Sequence, residues 1–175
     1  MLALLCEQFG ATLRVASPDS GPQTSIGGMR ALSDVRFNAV TADAAEVFLA
    51  IGSDSWPTLH DAAFFGLLSE ALTAGKFVGE ICAATVVAAG AGLFKGRPHT
   101  SNGLDWLGRH APGYTGAEHY VETPRAVTAG RLVSAPGSAP GSFASAICML
   151  VSPGRVDEIR ANDAMMAREW AAVTI

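Results

Sequence analysis

Little in this sequence ties it to a nucleic acid, a bilayer or a metal. Of 175 residues only 12 are Lys or Arg, against 16 Asp and Glu, for a net charge of −4. The cations stand singly, with no basic run or stripe, which argues against a nucleic-acid partner. Gly, Asp or Glu interrupts every apolar stretch before it reaches the length of a membrane span. The opening Met1-Leu2-Ala3-Leu4-Leu5 has no basic lead and meets Glu7 at once, unlike a signal peptide. Cysteine is scarce: Cys6, Cys82 and Cys148 are odd in number and far apart. That excludes a disulfide framework and points to a reducing, cytoplasmic setting. No CxxC or HExxH spacing occurs, so no metal site is expected, and no cofactor.

What is present is apolar. Residues of that kind make up 49% of the chain, enough to exclude disorder and to build the core of one domain over residues 1–175. There is no internal repeat and no linker; the Gly/Pro-rich stretch 135–141 has the length of a loop. Residues 2–9 read as a short amphipathic helix closed by Gly10. Thr12 to Ala16 reads as a strand, and Ser25 to Leu32 as a hairpin around Gly27-Gly28. The continuous apolar run Ala45 to Ile51 is a buried strand ending in the small loop Gly52-Ser53-Asp54-Ser55. Leu59 to Ala74 is a helix, with Thr58 as its N-cap and Gly75 as its stop. Phe77 to Ile81 is a strand and Ala83 to Ala89 a helix. Beyond these come a short helix over 103–110, strands over 119–122 and 131–135 with a turn at 127–131, and helices over 142–151 and 156–173. Strands alternating with helices predict an α/β fold with a mostly parallel sheet covered on both faces.

Cys82 falls where the strand 77–81 becomes a helix. Ligands of open α/β sheets gather beyond the carboxyl ends of the strands, and a helix start favours thiolate over thiol. Cys6 and Cys148, inside apolar helical stretches, read instead as small buried hydrophobes.

The run Glu80-Ile81-Cys82-Ala83-Ala84-Thr85, continuing to Gly96-Arg97-Pro98-His99-Thr100-Ser101-Asn102, resembles the nucleophile region of the DJ-1/PfpI family, within the class I glutamine amidotransferase-like superfamily. The stretch 48–57 resembles that family's strand and Pro-Gly-Gly turn, here Ile51-Gly52-Ser53. Residues 131–151 resemble its late strand and helix, so the resemblance spans about residues 11–151. It implies a flavodoxin-like three-layer sandwich, and a homodimer. It implies Cys82 as nucleophile on a strained elbow, with an oxyanion hole of backbone N–H groups from Ser53 and from Cys82 or Ala83. Gly52, Trp56 and His99 are then candidates for the substrate side. Trp56 reads equally as a core or interface aromatic, and His99 as a hydrogen-bonded loop histidine.

The chain departs from the pattern in three places. Asn102 stands where many members carry a histidine. An amide can position a thiolate or substrate but is no base at neutral pH. If 98–102 is extended, His99 points to the opposite face. Ala83 follows the cysteine where peptidase-like members have histidine. The acidic residue after the family's first strand is not seen, because the chain starts within what resembles the first helix. The first strand therefore reads as missing, with about ten to twenty further residues expected before Met1. Glu80, two residues before Cys82 on the same side of a regular strand, is the local substitute for the acid; its alternative is pairing with Arg97, Lys76 or Arg109 at the sheet end, or reaching solvent. Two functions are compatible with this set. One is a cysteine-dependent hydrolase or lyase acting on a small carbonyl or amide compound. The other is a redox-responsive, protective protein whose Cys82 is oxidised by a small oxidant without turnover.

Overall fold

The structure is a computed structural model, which describes residues 7–19, 21–59 and 62–171. Its frame is a four-stranded sheet in the order β5-β6-β8-β7. β5 (Val47–Ala50) and β8 (Leu132–Ala135) flank β6 (Phe77–Ile81) in parallel, and β7 (Val127–Ala129) closes the far edge antiparallel to β8. The β7–β8 hairpin turns at Gly130, in the left-handed region at φ 63°, where glycine has no Cβ to clash.

Alternation along the strands separates two cores. Phe48, Ala50, Val78 and Leu132 face one side, with α1 (Ala62–Thr73) and α2 (Thr85–Gly90). Ile81, Val133 and Ala135 face the other, packing on α4 (Pro140–Val151) and Ile159 of α5 (Val156–Ala171). The result is a flavodoxin-like arrangement of three layers. α4 lies very close to β6: a Cβ on Gly79 would fall 2.7 Å from Ile147 Cδ1 and 2.8 Å from Leu49 Cδ2. Only glycine fits at that strand position without repacking the helix.

Most predicted elements stand within a few residues of their expected bounds, and α3 (Leu104–His110) is among them. The hairpin at Gly27-Gly28 is present as β2 (Gln23–Thr24) paired with β3 (Arg30–Ala31). Others differ. The strand expected over 12–16 is only β1 (Ala16–Ser17), which pairs with β4 (Val35–Arg36) apart from the main sheet. The helix expected from Leu59 is preceded by a separate 3-10 turn, Trp56–Thr58, opened by Pro57. Thr58 lies inside that turn and donates to the Ser55 carbonyl instead of capping α1. The helix after Cys82 begins as a 3-10 turn, Cys82–Ala84. Residues 119–122 form no strand: a 3-10 turn at Ala117–His119 is followed by a single bridge between His99 and Tyr120. Of the helix expected over 2–9, residues 7–9 are helical and the rest lie outside the described residues. Among the described residues no helix is long and apolar enough to cross a membrane.

Candidate active site

β6 runs extended to Ile81 and then reverses sharply. Cys82 has φ 62°, and among the described residues it is the only non-glycine with positive φ. This conformation costs an L-residue about 1–2 kcal/mol, so the surrounding structure must hold it. Part of that hold is Thr85, whose Oγ1 donates to the Cys82 carbonyl at 2.7 Å and lies 2.6 Å from Ser101 Oγ.

Two glycines leave room for the thiol. A Cβ on Gly52, just past β5, would lie 2.8 Å from Cys82 Cβ. A Cβ on Gly137, just past β8, would lie 2.7 Å from Sγ. Cys82, Gly52 and Gly137 therefore meet at the carboxyl ends of three adjacent parallel strands, where open α/β sheets place their ligands. Asn102 completes the ring. Its Nδ2 donates toward Sγ at 3.5 Å, and its Oδ1 accepts the Gly137 N–H at 2.8 Å.

The segment 99–102 is anchored at every residue. His99 is fully buried, stacks flat on Phe94 and has both ring nitrogens engaged, by the Arg97 carbonyl and the Tyr114 hydroxyl. The Thr100 N–H donates to Ser134 Oγ, and the Ser101 N–H to the Tyr120 hydroxyl. His99 and Asn102 do point to opposite sides. His99 is thus a packing residue, not a substrate contact, and burial pushes its pKa down, favouring the neutral ring.

Glu80 also differs from expectation. Its carboxyl is fully buried on the α2 side, where Oε2 accepts the Ala88 N–H at 2.9 Å and Oε1 has no partner among the described residues. It does not bond Cys82, and the basic partners considered for it are elsewhere. Lys76 pairs with Glu46, and Arg97 donates to the Leu93 carbonyl. The positive φ at Cys82 explains this. The two-residue alternation that would put Glu80 and Cys82 on one face holds only while the chain stays extended. Burial pushes the Glu80 pKa up to about 8, so the carboxyl is mainly neutral at pH 7.

Trp56 turns inward. It is buried, stacks on Phe64 and donates its indole N–H to the Ile51 carbonyl at 2.6 Å. It braces the strand end before Gly52 from the core and does not line the site. Ser53 follows Gly52 after β5, and Ala83 follows Cys82 in the 3-10 turn of the elbow.

Beyond Asn102 and Gly137 opens a cleft of about 490 Å³, whose walls include Ser101, Glu122, Thr123 and Ser138. Sequence reading missed Gly137 and Glu122. Gly137 had a signal, a glycine directly after a parallel strand at the edge already marked by Cys82. Glu122 had none, because it reaches the cleft through the irregular stretch misread as a strand.

Comparison with known proteins bears on the fold and the family. The chain is 31% identical to a DJ-1 superfamily protein from Agrobacterium tumefaciens, with a TM-score of 0.86 over 96% of this chain and 88% of that one. A ThiJ/PfpI family protein from Bacillus anthracis is 30% identical, with a TM-score of 0.66 over 76% of this chain and 62% of that one. Among curated proteins, the uncharacterised protease YoaZ of Bacillus subtilis is 30% identical over 140 residues, or 79% of this chain, which spans 66% of that relative's length. The DJ-1/PfpI family pattern itself matches residues 2–149. With a match of that extent, the chain belongs to the DJ-1/PfpI family.

Proposed function

We propose that this protein is a cofactor-independent hydrolase or lyase in which Cys82 attacks a small carbonyl or amide compound. The observation that carries the reading is the left-handed Cys82, its sulfur set between Gly52, Gly137 and the Asn102 amide. In the first step the sulfur bonds to the carbonyl carbon, the π pair moves to oxygen, and the thiol proton ends on that oxygen. Backbone N–H groups of Ser53 and of Cys82 or Ala83 are the donors proposed for the developing charge. Asn102 orients the sulfur through Nδ2 and takes no proton.

Peptidase or glutamine-transfer chemistry fits less well, although one relative is named a protease. Both commonly rely on a base beside the sulfur, and among the described residues His99 is stacked in the core with both nitrogens occupied. That same arrangement favours a second reading, in which Cys82 is oxidised by peroxide to sulfenic and then sulfinic acid without turnover. The two readings separate in one assay. The enzyme reading expects methylglyoxal to be consumed catalytically by the native protein and not by Cys82→Ser. Absence of turnover, with a peroxide-dependent mass increase confined to Cys82, would replace it with the second.

A further inference from the structure

The cleft beside Cys82 shares two residues with the sulfur's own surroundings. Asn102 and Gly137 contact the thiol on one side and wall the cleft on the other. The cleft thus adjoins the sulfur, and a compound attached to Sγ that reaches past Asn102 and Gly137 would enter it. At about 490 Å³ the cleft falls within the range of small-molecule sites.

The chemistry of its walls is one-sided. Ser101, Asn102, Thr123 and Ser138 are polar and uncharged, Pro124 and Pro136 give rigid apolar edges, and Glu122 is the single charged side chain. Lys and Arg are absent from the lining. Glu122 makes no ion pair among the described residues, and Arg125, three residues on, makes none either. Glu122 is solvent-exposed. A cleft lined by one sign of charge concentrates ligands of the other sign and repels its own.

We propose that Glu122 makes this cleft selective for carbonyl or amide compounds that carry an amino or guanidinium group, and selective against carboxylate-bearing ones. This rests on Cys82 being the nucleophile, and it adds what that reading lacks, the charge class of the substrate. Glu122 acts as a specificity residue: it takes no part in bond-making at sulfur and holds the far end of the ligand.

The test uses the whole protein and three methanethiosulfonates. They are the cationic 2-aminoethyl, the anionic 2-sulfonatoethyl and the neutral methyl reagent. Each forms a mixed disulfide at sulfur and releases methanesulfinate, so no other reactant is needed. Modification of Cys82 is followed by mass spectrometry. The native protein should favour the cationic over the anionic reagent, and Glu122→Gln should reduce that ratio by about three- to tenfold at 50 mM salt or below. Glu122→Lys should reverse the preference. Glu70→Gln is the control for net charge alone, since Glu70 is exposed on α1, which runs back from the β5 end of the site toward the opposite edge. It should leave the ratio unchanged. Ratios that agree among the native protein, Glu122→Gln and Glu70→Gln, with fast neutral labelling of Cys82, would overturn the selectivity alone. Neutral labelling slower at Cys82 than at Cys148 would overturn the nucleophile reading together with it.

Discussion

Asn102 joins two sides of the candidate site with one side chain, its nitrogen toward the Cys82 sulfur and its oxygen on the Gly137 N–H. Asp at this position keeps the acceptor for Gly137, removes the donor to sulfur and adds a negative charge beside it. All the change falls on the thiolate, which becomes harder to form. Asn102→Asp should therefore slow Cys82 alkylation by iodoacetamide at pH 7 by about tenfold. A rate equal to that of the native protein would show that the amide does not act on the sulfur. Cys148 serves as the internal reference. It is buried, and that burial pushes its thiol pKa up, with Asp163 adding to the effect. At this scale the sequence was readable where chemistry depends on residue type. Cys82 and Asn102 stood out, and the opposite orientation of His99 followed from simple alternation. Gly137 and Glu122 were harder to see because their roles come from where the fold brings them.

Among the elements, β6 carries the largest electrostatic load, since Glu80 is buried between the sheet and α2. The folded chain holds the Glu80 proton up to about pH 8, whereas the ordinary carboxyl value is 4.5. Between those values the native state binds more protons than the unfolded chain, so stability falls as pH rises. The contribution is fully present below about pH 4.5 and is lost as pH climbs through about 8. Denaturant unfolding of the native protein should show a decline of a few kcal/mol across this window, less what neighbouring water recovers. Glu80→Gln, which keeps an acceptor for the Ala88 N–H, should flatten the profile. Parallel profiles for the two proteins would show that Glu80 is ionised in the fold. The strand was legible in its sequence, but the direction of Glu80 was left open between the thiol, a basic partner and solvent. Its partner was not, because the left-handed turn at Cys82 breaks the alternation on which the expected contact depended. The stretch 119–122 was misread for a related reason. A few alternating residues suffice to suggest a strand, but a ladder also needs a partner, and His99 offers one bridge.

For the whole molecule, the layer order and the parallel sheet were legible because each strand–helix unit has its own apolar period and glycine stops. The small ribbons at 16–36 were less so, since pairs two residues long leave almost no pattern. Those ribbons present the most exposed apolar side chains of the described residues. Ile26 is 99% exposed at the hairpin tip, with Met29 at 74% and Leu32 at 76% beside it. Apolar surface in this concentration is a candidate contact face. The Trp56 loop, expected along with the first helix as the place of a dimer interface, keeps its aromatic ring in the core. Light scattering at micromolar concentration should give twice the chain mass of 18.0 kDa, and Ile26→Asp should shift it toward the monomer. A monomeric native protein would refute the dimer. The site also carries a consequence for how the chain matures. Gly52, Cys82, Asn102 and Gly137 come from four separate stretches, with Asn102 20 positions after Cys82 and Gly137 35 positions after Asn102. No local fragment can bring them together, and contacts of such range carry a loop-closure cost that local ones do not. On the proposed reading, the surroundings of Cys82 exist only once all four stretches are in place, so the labelling rate of its sulfur would report the finished fold.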